Sequence, residues 1–344
     1  MVDIKKYTEL LNDMTEIMSV SGFEKSAYDE LRELIGGYFD ASEQDSVGNM
    51  LFYKHAPDKN APTVMLDAHF DTVGFSVSGI ADDGQISVAP IGGIDTNILP
   101  FSHVTVHGRE KLCGIMTCEM SSIGNIPIEK FCIDTGYSKD EIKKLVSVGD
   151  SVTYRSNITH LMNERIVGAS FDDKACAAAL VCTIMSTPQE KLAFNICLSL
   201  SSREEVGGGG AAVVGKNIKP AAAIVTDVNF AAAPGVPEDE SSPLGHGAMT
   251  SLSAVTDRAL TNEIIQTAQE NDIPLSPIVE ALSTGTNATL LYNAGEGIPC
   301  AVLSLPLAGM HTAAECISTA DIKSFCEIIE SVLTNAALAE RLKN

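Results

Sequence analysis

The first seventy residues show helical periodicity followed by one largely apolar run. Apolar residues recur at helical spacing over 4–18 and near 24–38, which predicts two amphipathic helices. The segment 63-TVMLDAH-69 is mostly apolar and ends in polar residues. This pattern predicts a buried strand that carries functional groups at its carboxyl end.

A different pattern runs from residue 72 to about residue 160. Short β-like pieces such as HVTVHG and KLCGIM alternate there with Gly, Asp and Pro. We therefore expect residues 72–160 to form a small β-rich domain, inserted into a larger domain made of residues 1–71 and 161–344.

Strands and helices alternate again after residue 165. Such alternation indicates an α/β fold with a mostly parallel central sheet and helices on both faces. The segments behind this prediction are helices at about 173–186, 257–270 and 320–341 and buried strands near 194–200, 222–227 and 299–305.

The chain is strongly acidic, which limits its partners. Its 344 residues include 45 Asp and Glu against 23 Lys and Arg, a formal net charge of −22. Such a charge repels nucleic acid and anionic membrane surfaces, so we expect neither as a partner. The longest apolar run, 175-ACAAALVCTIM-185, is also too short to cross a bilayer.

The cysteines indicate a reducing compartment. There are nine, an odd number, with no CxxC pair, and several lie in apolar segments, among them Cys176, Cys182, Cys197 and Cys300. They are typical of reduced core residues rather than of disulfides or a thiolate zinc site. The amino terminus also lacks the apolar core of a signal peptide, so we expect a cytoplasmic protein.

Residues able to bind metal follow the predicted strands or begin a helix. In an open α/β sheet, ligand sites gather beyond the carboxyl ends of the strands, so these side chains can converge. Like charges crowded in one cleft need a counter-charge, usually a metal ion or a proton. The candidates are His69 and Asp71, Asp172 and Asp173, Glu204 and Glu205, Asp227, and His311.

Each candidate alone has a simpler explanation. His69 by itself is more often an interior histidine, Asp172 with Asp173 could cap a helix, and Asp227 could form a turn. The Glu204–Glu205 pair could be a solvated surface turn. The joint arrangement at several strand ends favours a metal site over these separate explanations.

Five motifs together resemble those of the tetrahedral-type (TET) and glutamyl aminopeptidases, the forty-second metallopeptidase family. PIGGIDTNILP at 90–100 and GTNA at 285–288 also match the order of that family, so the resemblance covers nearly the whole chain. The motifs are AHFDTVGF at 68–75, SFDDKA at 170–175, REEVGGGGA at 203–211, TDVNFAAAPGVPED at 226–239 and GMHTAAE at 309–315.

The resemblance implies a centre of two divalent metal ions. It makes His69 a ligand of one ion, His311 a ligand of the other and Asp172 the carboxylate that bridges both. Glu205 and Asp227 complete the two coordination spheres. The three carboxylates and one bridging hydroxide would neutralise the two ions, and nitrogen and oxygen ligands without thiolate suit Zn²⁺, Co²⁺ or Mn²⁺.

The resemblance also implies the other catalytic roles and the architecture. Glu204 would be the general base, and Asp71 would accept the imidazole N–H of His69 and fix its tautomer. The main domain would resemble other dinuclear zinc exopeptidases. The insert would be a PDZ-like dimerisation domain, and the dimers could assemble into a dodecamer.

These observations predict a metal-dependent aminopeptidase acting on short peptides. Two alternatives stay open: a glycan hydrolase, since some relatives are labelled endoglucanases, and an oligomeric binding protein without activity. The chain has no Trp and only 5% aromatic residues, which counts against the stacking platforms of a glucan cleft.

Three departures from the family pattern lie near the predicted cleft. Thr72 and Asn287 stand where the family usually has acidic residues, and Gly208 and Gly209 replace bulkier ones. None removes an expected ligand, but they leave the preferred amino-terminal residue open. The apolar side chains of segment 90–100 also predict burial against another subunit or over the active-site mouth.

Overall fold

An eight-stranded sheet forms the centre of this computed structural model, which describes residues 2–119 and 126–343. The strand order is β1-β2-β12-β3-β13-β16-β14-β15. The four strands β12, β3, β13 and β16 run parallel to one another. On one side of them, β2 pairs antiparallel with β12, and β1 pairs antiparallel with β2. On the other side, β14 pairs antiparallel with β16. The strands are β1 Ala41–Gln44, β2 Met50–Lys54, β3 Thr63–His69, β12 Asn195–Ser201, β13 Ala222–Phe230, β14 Ala248–Leu252, β15 Leu275–Val279 and β16 Cys300–Leu307.

Helices cover both faces of this sheet. Leu66 of β3 packs into the core beneath α1, α2, α4, α6 and α8, while its neighbour Met65 packs against α5 and α7 on the opposite face. Successive side chains of a strand point to opposite faces, so a strand covered on both sides must be apolar almost throughout. The helices are α1 Ile4–Glu16, α2 Tyr28–Ile35, α4 Phe171–Ser186, α5 Gly209–Ile218, α6 Arg258–Glu270, α7 Ala288–Leu291, α8 Thr319–Leu333 and α9 Ala336–Arg341.

The mixed α/β architecture agrees with the sequence analysis, but the sheet is less uniformly parallel than expected. The strand predicted at 63–69 is β3, with the same bounds. The helix predicted at 320–341 is two helices, because Asn335 caps a new helix with its side chain. The strand predicted at 222–227 continues to Phe230.

Between β3 and β10 the chain forms a closed six-stranded barrel in the order β4-β5-β8-β7-β6-β9. Its interior is a separate apolar cluster that includes Phe75, Val104 and Ile133. Short helix α3, Lys139–Leu145, packs Ile142 into the same cluster. The barrel strands are β4 Gly74–Ile80, β5 Ile86–Ile91, β6 His103–His107, β7 Lys111–Thr117, β8 Cys132–Asp134 and β9 Ser151–Tyr154.

The chain enters and leaves the barrel on adjacent strands. The first strand, β4, pairs antiparallel with the last, β9, and Phe75 lies opposite Val152. The following strands β10, Thr159–His160, and β11, Arg165–Gly168, join β17, Glu315–Ser318, in a small separate sheet. This connection leads directly to α4, whose first turn carries Asp172.

Among the described residues, no helix combines the length and the apolar character needed to cross a membrane. Five of the nine cysteines are buried, including the four taken as core residues from the sequence, and all nine are free thiols.

Candidate active site

Residues from separate parts of the chain meet at the carboxyl edge of the parallel strands. His69 is the last residue of β3, and Asp227 lies in the neighbouring strand β13. Glu204 and Glu205 form a turn just after β12, the strand on the other side of β3. Together with Asp172 and His311, these four residues line a cleft of about 280 Å³.

Asp172 lies between the two histidines. Its Oδ1 is 2.9 Å from Nε2 of His69, and its Oδ2 is 3.3 Å from Nε2 of His311. Nε2 of His69 is also 3.6 Å from Oδ1 of Asp227, and Nε2 of His311 is 3.2 Å from Oε2 of Glu205. Each oxygen of Asp172 therefore faces a different half of the site.

The other nitrogen of each imidazole donates to a backbone carbonyl. Nδ1 of His69 donates to the carbonyl of Asp71 at 2.8 Å, and Nδ1 of His311 donates to the carbonyl of Gly93 at 2.7 Å. A carbonyl can only accept, so these bonds fix the tautomers of the neutral imidazoles and leave Nε2 directed at the carboxylates. Gly93 belongs to the loop after β5, so the barrel reaches the site.

The donor atoms fall into two groups that share Asp172. His69, Asp172 and Asp227 form one group and Asp172, Glu205 and His311 the other, with donor atoms within 4.8 Å of one another in each. Within the described chain, Oε1 of Glu205 is buried without a hydrogen-bond partner. This orphaned oxygen and the nitrogen and oxygen donors, without thiolate, fit a pair of divalent cations such as Zn²⁺, Co²⁺ or Mn²⁺.

The electrostatic field of the cleft favours positive charge. Burial alone would lower the pKa of His311, but Asp172 and Glu205 raise it to about 11. Asp227 and Asp172 likewise hold the pKa of His69 well above its ordinary value against the effect of burial. Burial opposes ionisation of Asp172, yet its contacts with both histidines bring its pKa below the usual range. The same field would attract metal cations.

Glu204 lies beside these groups but in neither donor group. Burial raises its pKa to about 8, with Asp227, Glu205 and Asp71 adding to the increase and His69 opposing it. A carboxylate with a raised pKa in a cleft is a suitable general acid or base near neutral pH.

Asp71 contacts the imidazole of His69 through its backbone and the Glu204–Glu205 turn through its side chain. Its carboxylate is 3.7 Å from Nδ1 of His69, beyond hydrogen-bond distance, and its backbone carbonyl receives that proton instead. The carboxylate oxygens accept the backbone N–H groups of Glu204, at 3.0 Å, and Glu205, at 3.2 Å. Asp71 therefore fixes the imidazole with its backbone and the Glu204–Glu205 turn with its side chain.

Glu315 is a buried part of the site that the sequence analysis did not assign. Its carboxylate accepts three backbone N–H groups, from Phe171 at 2.6 Å, Asp172 at 3.2 Å and His311 at 2.8 Å. Burial and the nearby Asp172 raise its pKa to about 8, against the effect of these donors. Its position in GMHTAAE, four residues after His311, was the only signal in the sequence.

A buried polar network lies under the site. Asp67, two residues before His69, accepts hydrogen bonds from Ser199, Ser201 and Asn287, and burial raises its pKa to about 6. The amide of Asn287 donates to Asp67 at 2.9 Å, which an ionised aspartate at that position could not do. This departure from the family pattern thus has a local electrostatic consequence.

The glycines after Glu205 allow close approach of the backbone. A Cβ at Gly210 would lie 2.3 Å from the carbonyl oxygen of Ser202, and Gly207 and Gly208 have positive φ angles of 113° and 72°. No side chain fits at Gly210 without displacing the turn, so these glycines are needed for its geometry.

A larger groove, of about 900 Å³, lies elsewhere and contains none of the predicted site residues. Strands β6 and β9 of the barrel contribute much of its lining, together with Val167 and Ala313. It lacks the paired carboxylate and histidine groups, so the smaller cleft is the better candidate for catalysis.

A family model and a curated relative that match this chain are both described as aminopeptidases. A family model described as M42 glutamyl aminopeptidase matches residues 48–328. A lysyl aminopeptidase of Pyrococcus furiosus is 26% identical, with the match covering 94% of this chain and 96% of that protein.

Two solved structures share the fold. An aminopeptidase of the archaeon Desulfurococcus kamchatkensis has a TM-score of 0.89 at 24% identity, covering 99% of this chain and 98% of its own. The TET1 peptidase of Pyrococcus horikoshii, described as assembling into a tetrahedron or a large octahedral shell, has a TM-score of 0.82 at 24% identity. That match covers 95% of this chain and 99% of the other.

We expect Glu315→Gln to loosen the site without touching a donor atom of either group. An amide cannot accept all three N–H groups, so the free energy of unfolding should fall by about 1–3 kcal/mol and metal affinity by about 10-fold. Thermal melts and metal titrations measure both, with exposed Glu296→Gln as the control. Unchanged metal affinity would show that Glu315 does not position Asp172 and His311.

Proposed function

Since the chain belongs to the M42 glutamyl aminopeptidase family, we propose that its acidic cleft hydrolyses the N-terminal peptide bond of short peptides with two divalent metal ions and a glutamate base. The observation that carries this proposal is the pair of donor groups sharing Asp172, with Glu204 beside them. In this arrangement the carboxylate of Asp172 is shared between the two cation sites, and the separate carboxylate of Glu204 is left for proton transfer.

In this proposal His69, Asp172 and Asp227 hold one cation, and Asp172, Glu205 and His311 hold the other. The distances between Asp172 and the two histidines support its bridging role. Zn²⁺ or Co²⁺ suits these donors best, and Mn²⁺ is compatible with them.

When bound, the metal ions would lower the pKa of a water molecule and polarise the peptide carbonyl. Glu204 takes the proton of the attacking water and passes it to the leaving amine as the C–N bond breaks. The Asp71 carboxylate accepts the backbone N–H groups of Glu204 and Glu205. These hydrogen bonds fix the position of the proposed base relative to the proposed metal ligand. The products are a free amino acid and a peptide one residue shorter.

A glycan hydrolase remains the alternative function, and it would need a different arrangement of carboxylates. Glycosidases normally place two carboxylates on either side of a sugar and add aromatic stacking surfaces. Here the carboxylates are grouped with two histidines, and the chain has no Trp. A binding protein without activity has no need for Glu204 beside a complete donor set.

The catalytic unit in this proposal is residues 1–71 with 161–344, and the barrel region 72–160 is a PDZ-like dimerisation domain. The separate apolar core of the barrel and its adjacent entry and exit strands support this division. The assembly described for the P. horikoshii peptidase supports a larger shell built from dimers, such as a dodecamer, as the oligomeric form. A cytoplasmic location belongs to the same proposal.

We expect Glu204→Gln to keep the metals and the fold but to lose turnover. The amide preserves the shape of the side chain yet cannot accept a proton, so kcat should fall at least ~10²-fold. Glu205→Gln is the matched control, because it should lose metal as well as activity. Normal turnover by a metal-loaded Glu204→Gln protein would contradict the role of Glu204.

Removal of metal with a chelator should inactivate the protein and destabilise it. Asp172, Glu204, Glu205 and Asp227 then repel one another without cations, and the midpoint of thermal unfolding should fall by at least about 5 °C. Melts with chelator, and after Zn²⁺ or Co²⁺ is restored, measure the change. An unchanged midpoint would argue that these carboxylates hold no metal.

Replacing residues 73–155 with a short Gly–Ser linker should give smaller particles that still fold. The adjacency of β4 and β9 lets a short linker span the gap. Two metal ions per chain should still bind, though less tightly, since His311 loses the Gly93 carbonyl.

Light scattering and metal analysis test this prediction. Ile98→Asp is a milder companion variant, because Ile98 is 37% exposed on segment 90–100. A deletion variant that stays fully assembled would show that the rest of the chain makes the subunit contacts.

A further inference from the structure

Side-chain oxygens accept four consecutive backbone N–H groups at the turn that carries Glu204 and Glu205. Peptide groups just past the end of a strand have lost their partners in the sheet, so the side chains that replace those partners determine the path of the backbone. The acceptors are Asn49 for Ser202 at 2.9 Å, Glu24 for Arg203 at 2.9 Å, and the two carboxylate oxygens of Asp71 for Glu204 at 3.0 Å and Glu205 at 3.2 Å.

Glu24 is remote from this turn in the sequence and almost completely buried. The residue is 1% exposed, and it precedes α2 in a short turn, Glu24–Ala27. Its Oε1 accepts the N–H of Arg203, 179 positions away, and also the N–H of Gly22 at 2.9 Å. Burying a carboxylate is costly, and these two hydrogen bonds help to compensate for its lost hydration.

The backbone that precedes Glu24 is fixed to the segment that follows His69. The N–H of Ser21 donates to the carbonyl of Thr72 at 3.1 Å, and the N–H of Thr72 donates to the carbonyl of Ser19 at 3.0 Å. Thr72 is the residue after Asp71, whose carboxylate accepts the next two N–H groups of the turn. Glu24 and Asp71 therefore hold adjacent parts of the turn from one connected piece of backbone.

Arg203 is the residue at which the chain turns after β12. Its φ of 63° and ψ of 27° lie in the left-handed region, which residues with a side chain seldom adopt. Its carbonyl accepts the N–H of Gly208 at 2.7 Å, which closes the turn around Glu204 and Glu205. The hydrogen bond to Glu24 therefore restrains the residue whose conformation directs the side chain that follows it.

We propose that Glu24 is a positioning residue for the general base: it holds Arg203 in the left-handed conformation and so directs the Glu204 carboxylate into the cleft. The inference rests on the aminopeptidase function proposed above. Glu24 is not among the described residues that line the cleft, so its effect on catalysis passes through the backbone of the turn. Loss of this acceptor should lower kcat more than it changes KM, because the base acts in the transition state.

The test compares substitutions of Glu24 that differ in the acceptor oxygen. Glu24→Met has a similar length but no oxygen, so kcat on a chromogenic Leu amide should fall ~10-fold or more while KM stays within ~3-fold. Glu24→Asp, whose carboxylate is one methylene shorter, is a milder variant that should lose kcat in the same way. Glu33→Met, the same change on an exposed position of α2, is the control.

The conservative variant Glu24→Gln separates the hydrogen bond from the charge. Burial raises the pKa of Glu24, and nearby Asp71 adds to the increase, so the negative charge itself is unfavourable at this position. Glutamine keeps one acceptor oxygen, and Glu24→Gln should therefore recover kcat to within ~3-fold of the wild-type value. A loss in Glu24→Gln as large as in Glu24→Met would overturn the role of the hydrogen bond.

A second substitution separates positioning from general stability. Glycine adopts the left-handed conformation without steric cost, so Arg203→Gly in the Glu24→Met protein should restore part of the lost kcat. A lower midpoint of thermal unfolding with an unchanged kcat in Glu24→Met would show that Glu24 supports only the fold. A kcat that Arg203→Gly does not raise would likewise contradict the proposal.

Hydrogen–deuterium exchange tests the same contact without turnover. In the metal-free protein, amides of residues 202–205 should exchange ~10-fold faster in Glu24→Met than in the wild type, and at nearly the wild-type rate in Glu24→Gln. Unchanged exchange in Glu24→Met would overturn the role of Glu24. If the wild-type protein cleaves no amide with Zn²⁺, Co²⁺ or Mn²⁺, the aminopeptidase function itself fails, whereas the exchange rates still decide whether Glu24 holds the turn.

Discussion

Repulsion among buried carboxylates is the constraint on which this structure depends. Asp172, Glu204, Glu205 and Asp227 face one cleft, and burial opposes ionisation of each. Such a cluster is stable only when positive charge compensates it, because burying unpaired charge is costly. The histidines, with their raised pKa values, show how strongly the cleft attracts a cation.

The protein holds this cluster in place largely through backbone hydrogen bonds to other buried carboxylates. Asp71 accepts the N–H groups of Glu204 and Glu205, Glu24 accepts that of Arg203, and Glu315 accepts those around Asp172 and His311. Charge-assisted bonds of this kind are stronger than neutral ones and fix the backbone on both sides of the cleft. The ligand geometry therefore depends on groups that would never touch a metal ion.

The barrel is part of this arrangement and more than an appended unit. Its loop after β5 presents the Gly93 carbonyl to His311, and the nearby Gly92 lies against Glu205. A Cβ at Gly92 would be 3.5 Å from Cβ of Glu205, so the loop passes close over the site. A change in the position of this loop would consequently alter the geometry of the cleft, because the loop contacts both His311 and Glu205.

The sequence by itself determined the strand at 63–69, the β-rich insert and the residue types at the strand ends, because alternation and periodicity are local properties of the chain. It also predicted that His69 and Asp172 lie near one sheet edge, since parallel strands end at a common edge, and the two side chains are 2.9 Å apart. Only the tertiary structure decided which atoms meet. Glu315 contacts Phe171 across 144 positions, and Asp71 acts through its backbone on His69, outcomes that depend on packing between distant segments. No local pattern encodes such contacts, because they form only when the whole sheet has assembled.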